Sequence, residues 1–312
     1  MEDLSVHYAT GRGFVRALDN VSLDLLPGET VGIVGETGCG KSTLGKAILG
    51  ILPPRTKVSG RIRFQGEDLV TLPEEAFREL RGRDLALIFQ DPMTRLNPLL
   101  TIEDHFVETI RAHEDVSNDE ARARAVEALS SMGIPESRVR NFPHEFSGGM
   151  RQRIMIALAL VLQPSALIAD EPTTSLDVIV ESQILGILED LKRAHRMSLL
   201  LITHNLGIVA EVCDRVAVLY AGRLVEVGPV ADIFARPIHP YTRGLLRAVI
   251  HLDSKELYSI DGIPPDLVSP PPGCRFHPRC EHAQAICHEQ VPPLVEFRSG
   301  HFAACLFGKD FL

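Results

Sequence analysis

No stretch of this chain approaches the ~18 consecutive apolar residues that a bilayer-spanning helix needs. The longest candidate, Ile154 to Leu162, stops at Gln163-Pro164. The opening residues, Met-Glu-Asp-Leu-Ser, are acidic and carry no apolar segment, so no secretory signal is expected and the chain should stay in the cytosol. Positive charge is also scarce. Lys and Arg number 32 against 41 Asp and Glu, a net charge of −9, which argues against broad nucleic-acid binding by charge alone. There is no internal repeat, no long coiled-coil pattern and no basic arm. Close C-x2-C pairs are missing too. What remains is ordinary for a globular protein: 45% hydrophobic and 23% charged residues over 312 positions, enough for about two domains.

The most informative stretch is Gly35-Glu36-Thr37-Gly38-Cys39-Gly40-Lys41-Ser42-Thr43. It fits G-x-x-x-x-G-K-[ST], the phosphate-binding loop, without mismatch. Glycines let the backbone curl and aim N–H groups at phosphate oxygens. Lys41 supplies a cation for the β- and γ-phosphates, and Ser42 a hydroxyl for Mg²⁺. The context agrees. Thr30 to Val34 is an apolar run that reads as a buried strand. Leu44 to Leu49 reads as a short helix closed by Gly50, whose positive end would face the same anion.

Around this loop the chain alternates. Leu4 to Tyr8 and Val21 to Leu25 pattern as strands, and Ser59 to Gln65 as a further hairpin arm. Leu85 to Phe89 is a core strand delivering Gln90. Asp91 to about Gln163 reads as a helical insertion, with Asn118 to Met132 periodic through Ala121, Ala125, Ala128 and Leu129. Ala166 to Ala169 is another buried strand. Val178 to His195 is helical, Ser198 to Ile202 and Val216 to Tyr220 are strands, and the sheet pattern fades beyond Pro237. Tyr241 to Ile250 reads as one more helix. The fold class is α/β, a parallel sheet with helices on both faces.

Two further groups carry chemistry. Asp170-Glu171 ends an apolar strand, where one carboxylate can hold Mg²⁺ through water and the other polarise an attacking water. Ser147-Gly148-Gly149 precedes a helix and offers a second set of inward amides. One nucleotide with two phosphate grips points to a sandwich between two subunits.

The set resembles an ATP-binding-cassette ATPase. Gly35 to Ser42 matches the family's Walker A motif, Gln90 its Q-loop and Ser147-Gly148-Gly149 its signature. Asp170 and Glu171 match its Walker B acid and catalytic glutamate, Ser175-Leu176-Asp177 its D-loop and His204 its switch histidine. The resemblance implies a P-loop NTPase (RecA-like) core with an antiparallel β-subdomain and an inserted helical subdomain, 91–163. It implies catalytic roles for Glu171, His204, Lys41 and Gln90. ATP contacts would come from residues 35–43, the partner's Ser147, Gly148 and Gly149, and Asp177. Mg²⁺ would fall to Ser42, Gln90 and Asp170. Tyr8, with Phe14 as competitor, is the candidate aromatic for stacking on adenine. Two departures stand out: Met150 where the signature usually ends in Gln with Phe146 before it, and Asn205 after His204 where an acid is common.

Gln90-Asp-Pro-Met-Thr-Arg-Leu-Asn-Pro98, His144 to Arg153, His239-Pro-Tyr-Thr-Arg243 and the tail beginning Pro270-Pro-Pro-Gly-Cys are similar to oligopeptide/dipeptide permease ATPase subunits. That implies a homologous partner ATPase, two membrane permease subunits contacted through Asp91 to about His113, and an external substrate-binding protein. The cassette is expected over 1–236 and a loop-rich, metal-binding extension over 237–312. Cys274, Cys280, Cys287 and Cys305, spaced C-x5-C-x6-C-x17-C, suit either Zn²⁺ or an iron–sulfur cluster. The long spacings and the resemblance favour [4Fe–4S]. Cys39 and Cys213 read as small packing residues. The rival function is a soluble cassette ATPase acting on nucleic acid or the ribosome.

Overall fold

The computed structural model describes residues 1–89, 96–173, 178–248 and 258–312. Its contacts divide the chain into two units. One comprises Met1–Leu25, Thr30–Leu72 and Leu201–Leu312; the other comprises Leu26–Glu29 and Pro73–Leu200.

The first unit opens with β1 (Glu2–Thr10) and β2 (Gly13–Val21), an antiparallel pair. Their alternation is real: Leu4, Val6, Leu18 and Val21 turn inward and are fully buried. β3 (Thr30–Val34) is buried at every position, as a strand covered on both faces must be. It feeds the glycine loop and α1 (Lys41–Ile48). β4 (Lys57–Arg61) then pairs antiparallel with β1, and β5 (Arg63–Phe64) with β6 (Glu67–Asp68).

The second unit is mostly helical. It carries α2 (Glu74–Leu80), β7 (Leu85–Ile88), α3 (Ile102–Arg111), α4 (Asn118–Ser131), α5 (Gly148–Leu160), β8 (Ala166–Asp170), α6 (Val178–His195) and most of β9 (Ser198–Ile202). β7 and β8 pair in parallel. α3 starts at a capping box, with Thr101 and Asp104 satisfying each other's backbone N–H. Its Ile102, Phe106 and Ile110 are fully buried, as are Ala121, Ala125 and Leu129 of α4, which packs on it. The small alanines let the two helices approach closely.

The chain then completes the first unit with α7 (Leu206–Val212), β10 (Arg215–Tyr220), β11 (Arg223–Pro229), α8 (Val230–Ala235), α9 (Pro240–Arg247), β12 (Val295–Arg298) and β13 (His301–Ala303). β10 lies parallel to β3 and antiparallel to β11; β13 continues the sheet beside β11, and β12 beside β13. The sheet is therefore mixed, and it does not fade beyond Pro237: the tail returns two strands to its edge. The expected strand Val21–Leu25 is also corrected, because the β1–β2 ladder stops at Leu4↔Val21. Among the described residues no helix is long and apolar enough to cross a membrane.

The tail shares the core of the first unit. Phe276 packs in one cluster with Tyr220, Tyr241, Val34, Val218 and Leu206. Tyr220 and Tyr241 rings lie 4.5 Å apart, and Phe276 meets them edge-on at 5.2 and 5.4 Å. Arg275 is almost fully buried and bonds Asp19 of β2 and the Ala221 carbonyl. Burial pulls its pKa down to about 10. Burial pushes the Asp19 carboxyl up, but Arg275 and Arg223 together more than reverse this and hold it below its usual range.

Candidate functional site

The glycine loop runs from the end of β3 into α1. Gly35 and Gly40 have positive φ, 150° and 114°. A Cβ at Gly35 would overlap the Leu219 carbonyl oxygen, and one at Gly40 the Ala17 carbonyl oxygen. Gly38 differs: φ is 82°, but a Cβ there would meet nothing within 4 Å, so its face opens outward. No side chain of the N-cap residue Gly40 caps α1, whose N-terminal end is the end of a helix that favours an anion. Lys41 is 8% exposed, and its Nζ donates to the Gly35 carbonyl at 2.7 Å and the Glu36 carbonyl at 3.1 Å. The cation is thus held over the cradle by the loop itself.

The neighbours of the loop fix its shape. The Gly222 N–H donates to the Cys39 carbonyl at 2.8 Å. Cys39 is buried and burial raises its thiol pKa, so it is a packing residue as expected. The Tyr8 hydroxyl lies 3.1 Å from the Thr43 hydroxyl, at the first turn of α1. Phe14, its competitor for adenine, is exposed with the Lys57 ammonium 4.0 Å from its ring. Two residues outside the expected site set, Tyr241 and Arg279, also reach the loop. The Glu36 N–H donates to the Tyr241 hydroxyl at 2.9 Å, and the Glu36 carboxylate takes two bonds from Arg279, at 2.7 and 2.9 Å. His204 follows Thr203, whose N–H donates to the Ile33 carbonyl of β3 at 3.2 Å. The unusual Asn205 caps α7: its side chain accepts from Gly207 and Ile208 N–H. That requirement explains a residue whose identity is otherwise odd.

The second unit carries the other motifs. β8 delivers Asp170, which is buried, and the chain then turns at Glu171 with φ 50°, a left-handed value uncommon for a side-chain-bearing residue. Ser147 caps α5 by accepting from the Met150 N–H at 3.4 Å, so Gly148 and Gly149 form its first turn. The departures Phe146 and Met150 share one neighbour. The Arg138 guanidinium lies 4.3 Å from the Phe146 ring and 3.5 Å from the Met150 sulfur. Gln152 of α5, nearly fully buried, donates to the Pro172 carbonyl at 2.6 Å and so ties this helix to the turn after Glu171. Gln90 and Ser175-Leu176-Asp177 lie outside the described residues.

All four tail cysteines line one small pocket of about 20 Å³, with Phe276, His277, Phe307 and Phe311 around them. Burial raises the thiols of Cys274, Cys280 and Cys305, the latter two to about 11. The expected metal-binding extension is corrected on one point. Among the described residues no three His, Cys, Asp or Glu are grouped to hold a metal ion.

Comparison with known proteins agrees with the motifs. Residues 18–174 match the family described as "ABC transporter", and residues 225–287 the "Oligopeptide/dipeptide transporter, C-terminal region". The dipeptide transport ATP-binding protein DppD of Bacillus subtilis is 49% identical over 98% of this chain and 93% of its own length. The oligopeptide transport ATP-binding protein OppD of Salmonella typhimurium is 46% identical over 98% and 92%. Among solved structures, a dimeric post-hydrolysis state of the ATP-binding cassette MJ0796 bound to ADP and Pi superposes with a TM-score of 0.67. It is 27% identical and covers 73% of this chain and 97% of that one.

Proposed function

The chain belongs to the ABC transporter family, in its oligopeptide/dipeptide branch, and from that premise we propose that it is the ATP-hydrolysing subunit of a peptide importer. The observation that carries the reading is the loop from Gly35 to Gly40, open at Gly38, with Lys41 held over it and α1 left uncapped. Such a cradle suits polyphosphate, and catalysis of phosphoryl transfer is positioning plus charge stabilisation. The rival reading, action on nucleic acid or the ribosome, gains nothing from the relatives.

The roles follow the family's motifs. Lys41 neutralises β- and γ-oxygens. Ser42, Asp170 and Gln90 serve Mg²⁺, which supplies charge neutralisation when bound. Glu171 polarises the attacking water, and His204 senses the γ-phosphate. Ser147, Gly148, Gly149 and Asp177 act on the nucleotide of a facing subunit in a head-to-tail dimer. Tyr8 supports the adenine side. We take 1–236 as the cassette, with 91–163 as its helical insertion, and 237–312 as the extension.

The working assembly pairs this chain with a homologous ATPase and two permease subunits at the cytoplasmic face of the membrane, served by an external binding protein. Leu99, 82% exposed within the Asp91–His113 segment, supports a permease contact there. For the tail we favour a [4Fe–4S] cluster held by Cys274, Cys280, Cys287 and Cys305 over zinc. Four cysteines line one pocket, the ligand number that such a cluster takes, and a bound cluster would staple a loop-rich segment and supply no step of hydrolysis. Iron and sulfide assays on anaerobic protein test this; stoichiometric zinc without iron would refute it.

The deciding experiment reconstitutes the chain with its permease in vesicles and measures Mg²⁺-ATP-dependent peptide uptake. ATP binding and uptake that both vanish in Lys41→Ala support the reading. Purified protein with no affinity for Mg²⁺-ATP would overturn it.

A further inference from the structure

Arg279 stands 243 residues from Glu36 in sequence yet grips it with both arms of its guanidinium. Its side chain is 4% exposed. All five of its N–H donors are engaged: Nε with the Asp261 carbonyl, Nη1 with Glu36 and the Tyr220 hydroxyl, and Nη2 with Glu36 and the Ile260 carbonyl. The Glu36 bond is the chief reason that the guanidinium holds its proton more firmly than usual. The turn that carries Arg279 is pinned between two cavity cysteines, because the His277 N–H donates to the Cys274 carbonyl and the Cys280 N–H to the His277 carbonyl.

Glu36 is an anion built into a loop whose ligand is an anion. An uncompensated carboxylate at that position repels polyphosphate and can swing into the cradle. The fork of Arg279 cancels the charge and fixes the carboxylate's direction, while the Tyr241 hydroxyl holds the backbone of the same residue. Burial pushes the Tyr241 phenol pKa up, so it stays neutral and adds no charge of its own.

We propose that Arg279 is a positioning residue of the nucleotide site: by neutralising and orienting Glu36, it makes ATP affinity depend on the fold of the cysteine-bearing tail. The proposal rests on the reading that residues 35–43 bind nucleotide. It differs from a role as a mere staple of the tail in the sign of one substitution, Glu36→Gln.

The test is a charge cycle read by equilibrium binding of Mg²⁺-ATP to the full chain, with thermal melts recorded alongside. Arg279→Ala leaves Glu36 unbalanced and weakens binding roughly tenfold, a loss that shrinks as salt rises. Glu36→Gln leaves Arg279 as a net positive charge beside the cradle and tightens binding by about threefold. The double variant returns close to wild type, since the two changes act on one interaction. If Arg279→Ala does not fold, Glu36→Gln alone decides, because a staple that is cut loosens the loop and weakens binding. Weaker binding in Glu36→Gln, or Arg279→Ala equal to wild type, overturns the proposal. A wild-type chain that binds no ATP instead refutes the nucleotide reading itself.

Discussion

The carboxylate of Glu226 lies 2.7 Å from Nε2 of His301, both side chains with no exposure to solvent, and this contact joins β11 to β13 near the edge of the sheet that holds β3 and β10. Glu226 also accepts the N–H groups of Ile238 and His239, at 2.6 and 2.9 Å. One side chain thus satisfies the entry to α9 and the return of the tail.

Glu226→Ala should therefore destabilise by about 3–5 kcal/mol, because it leaves two buried N–H groups and a histidine without their acceptor. Denaturant midpoints measure the loss. Limited proteolysis should cut first within the tail; a tail as resistant as wild type would contradict the anchoring role.

Glycine substitutions in the loop should separate folding from binding. Gly38→Ala meets no atom, so its cost is the left-handed backbone alone, about 1–2 kcal/mol, while its methyl group would project from the open face where the proposed nucleotide binds. Gly35→Ala collides with the Leu219 carbonyl and should lose stability more heavily. Melting temperature and ATP affinity, measured on both, should rank the two variants in opposite orders relative to one another's defect: Gly38→Ala folded and non-binding, Gly35→Ala poorly folded.

Glu171→Gln should retain ATP and lose turnover by about 100-fold or more, the usual effect of removing a general base. Phosphate release and retention of radiolabelled nucleotide provide the two readings. Unchanged hydrolysis would remove Glu171 from the chemistry and leave its left-handed backbone to be explained by the turn alone.

Asp19 gives a pH dependence with a definite sign. Its pKa is depressed in the fold, so the unfolded chain binds the proton more readily. The stabilisation is complete above the unfolded value near 3.8 and disappears as pH falls through the lower folded value. Asp19→Asn should cost about 1–3 kcal/mol at neutral pH, since Arg275 is left buried with a weakened partner, and the two proteins should converge in strong acid. Denaturation curves between pH 2 and pH 7, at about unit intervals, give the comparison. A gap that stays constant into acid would assign the loss to packing.

Much of this was readable from local pattern. Thr30–Val34 and Ser198–Ile202 are unbroken apolar runs, and each became a fully buried strand. Val178–His195 is one helix from end to end. The glycine loop declared itself because its chemistry needs fixed residue types at fixed spacing. The strands β12 and β13 were not legible, being four and three residues long, too short for alternation to rise above noise. Arg279 and Tyr241 were invisible as site residues for a different reason. Their partner Glu36 is more than two hundred positions away, and no periodicity reports a contact of that range. Asn205 looked like a departure only because its duty is to the helix that follows it.

The aromatic trio of Tyr220, Tyr241 and Phe276 bears on how the protein can be shortened. A version cut after Arg236 would carry most of the sequence motifs of its family and look sufficient on paper. It would also strip Tyr220 of both ring neighbours and remove the two side chains that brace Glu36. Anyone seeking a minimal fragment for biochemistry should keep the last quarter of the polypeptide, because the braces of the glycine loop are partly built there.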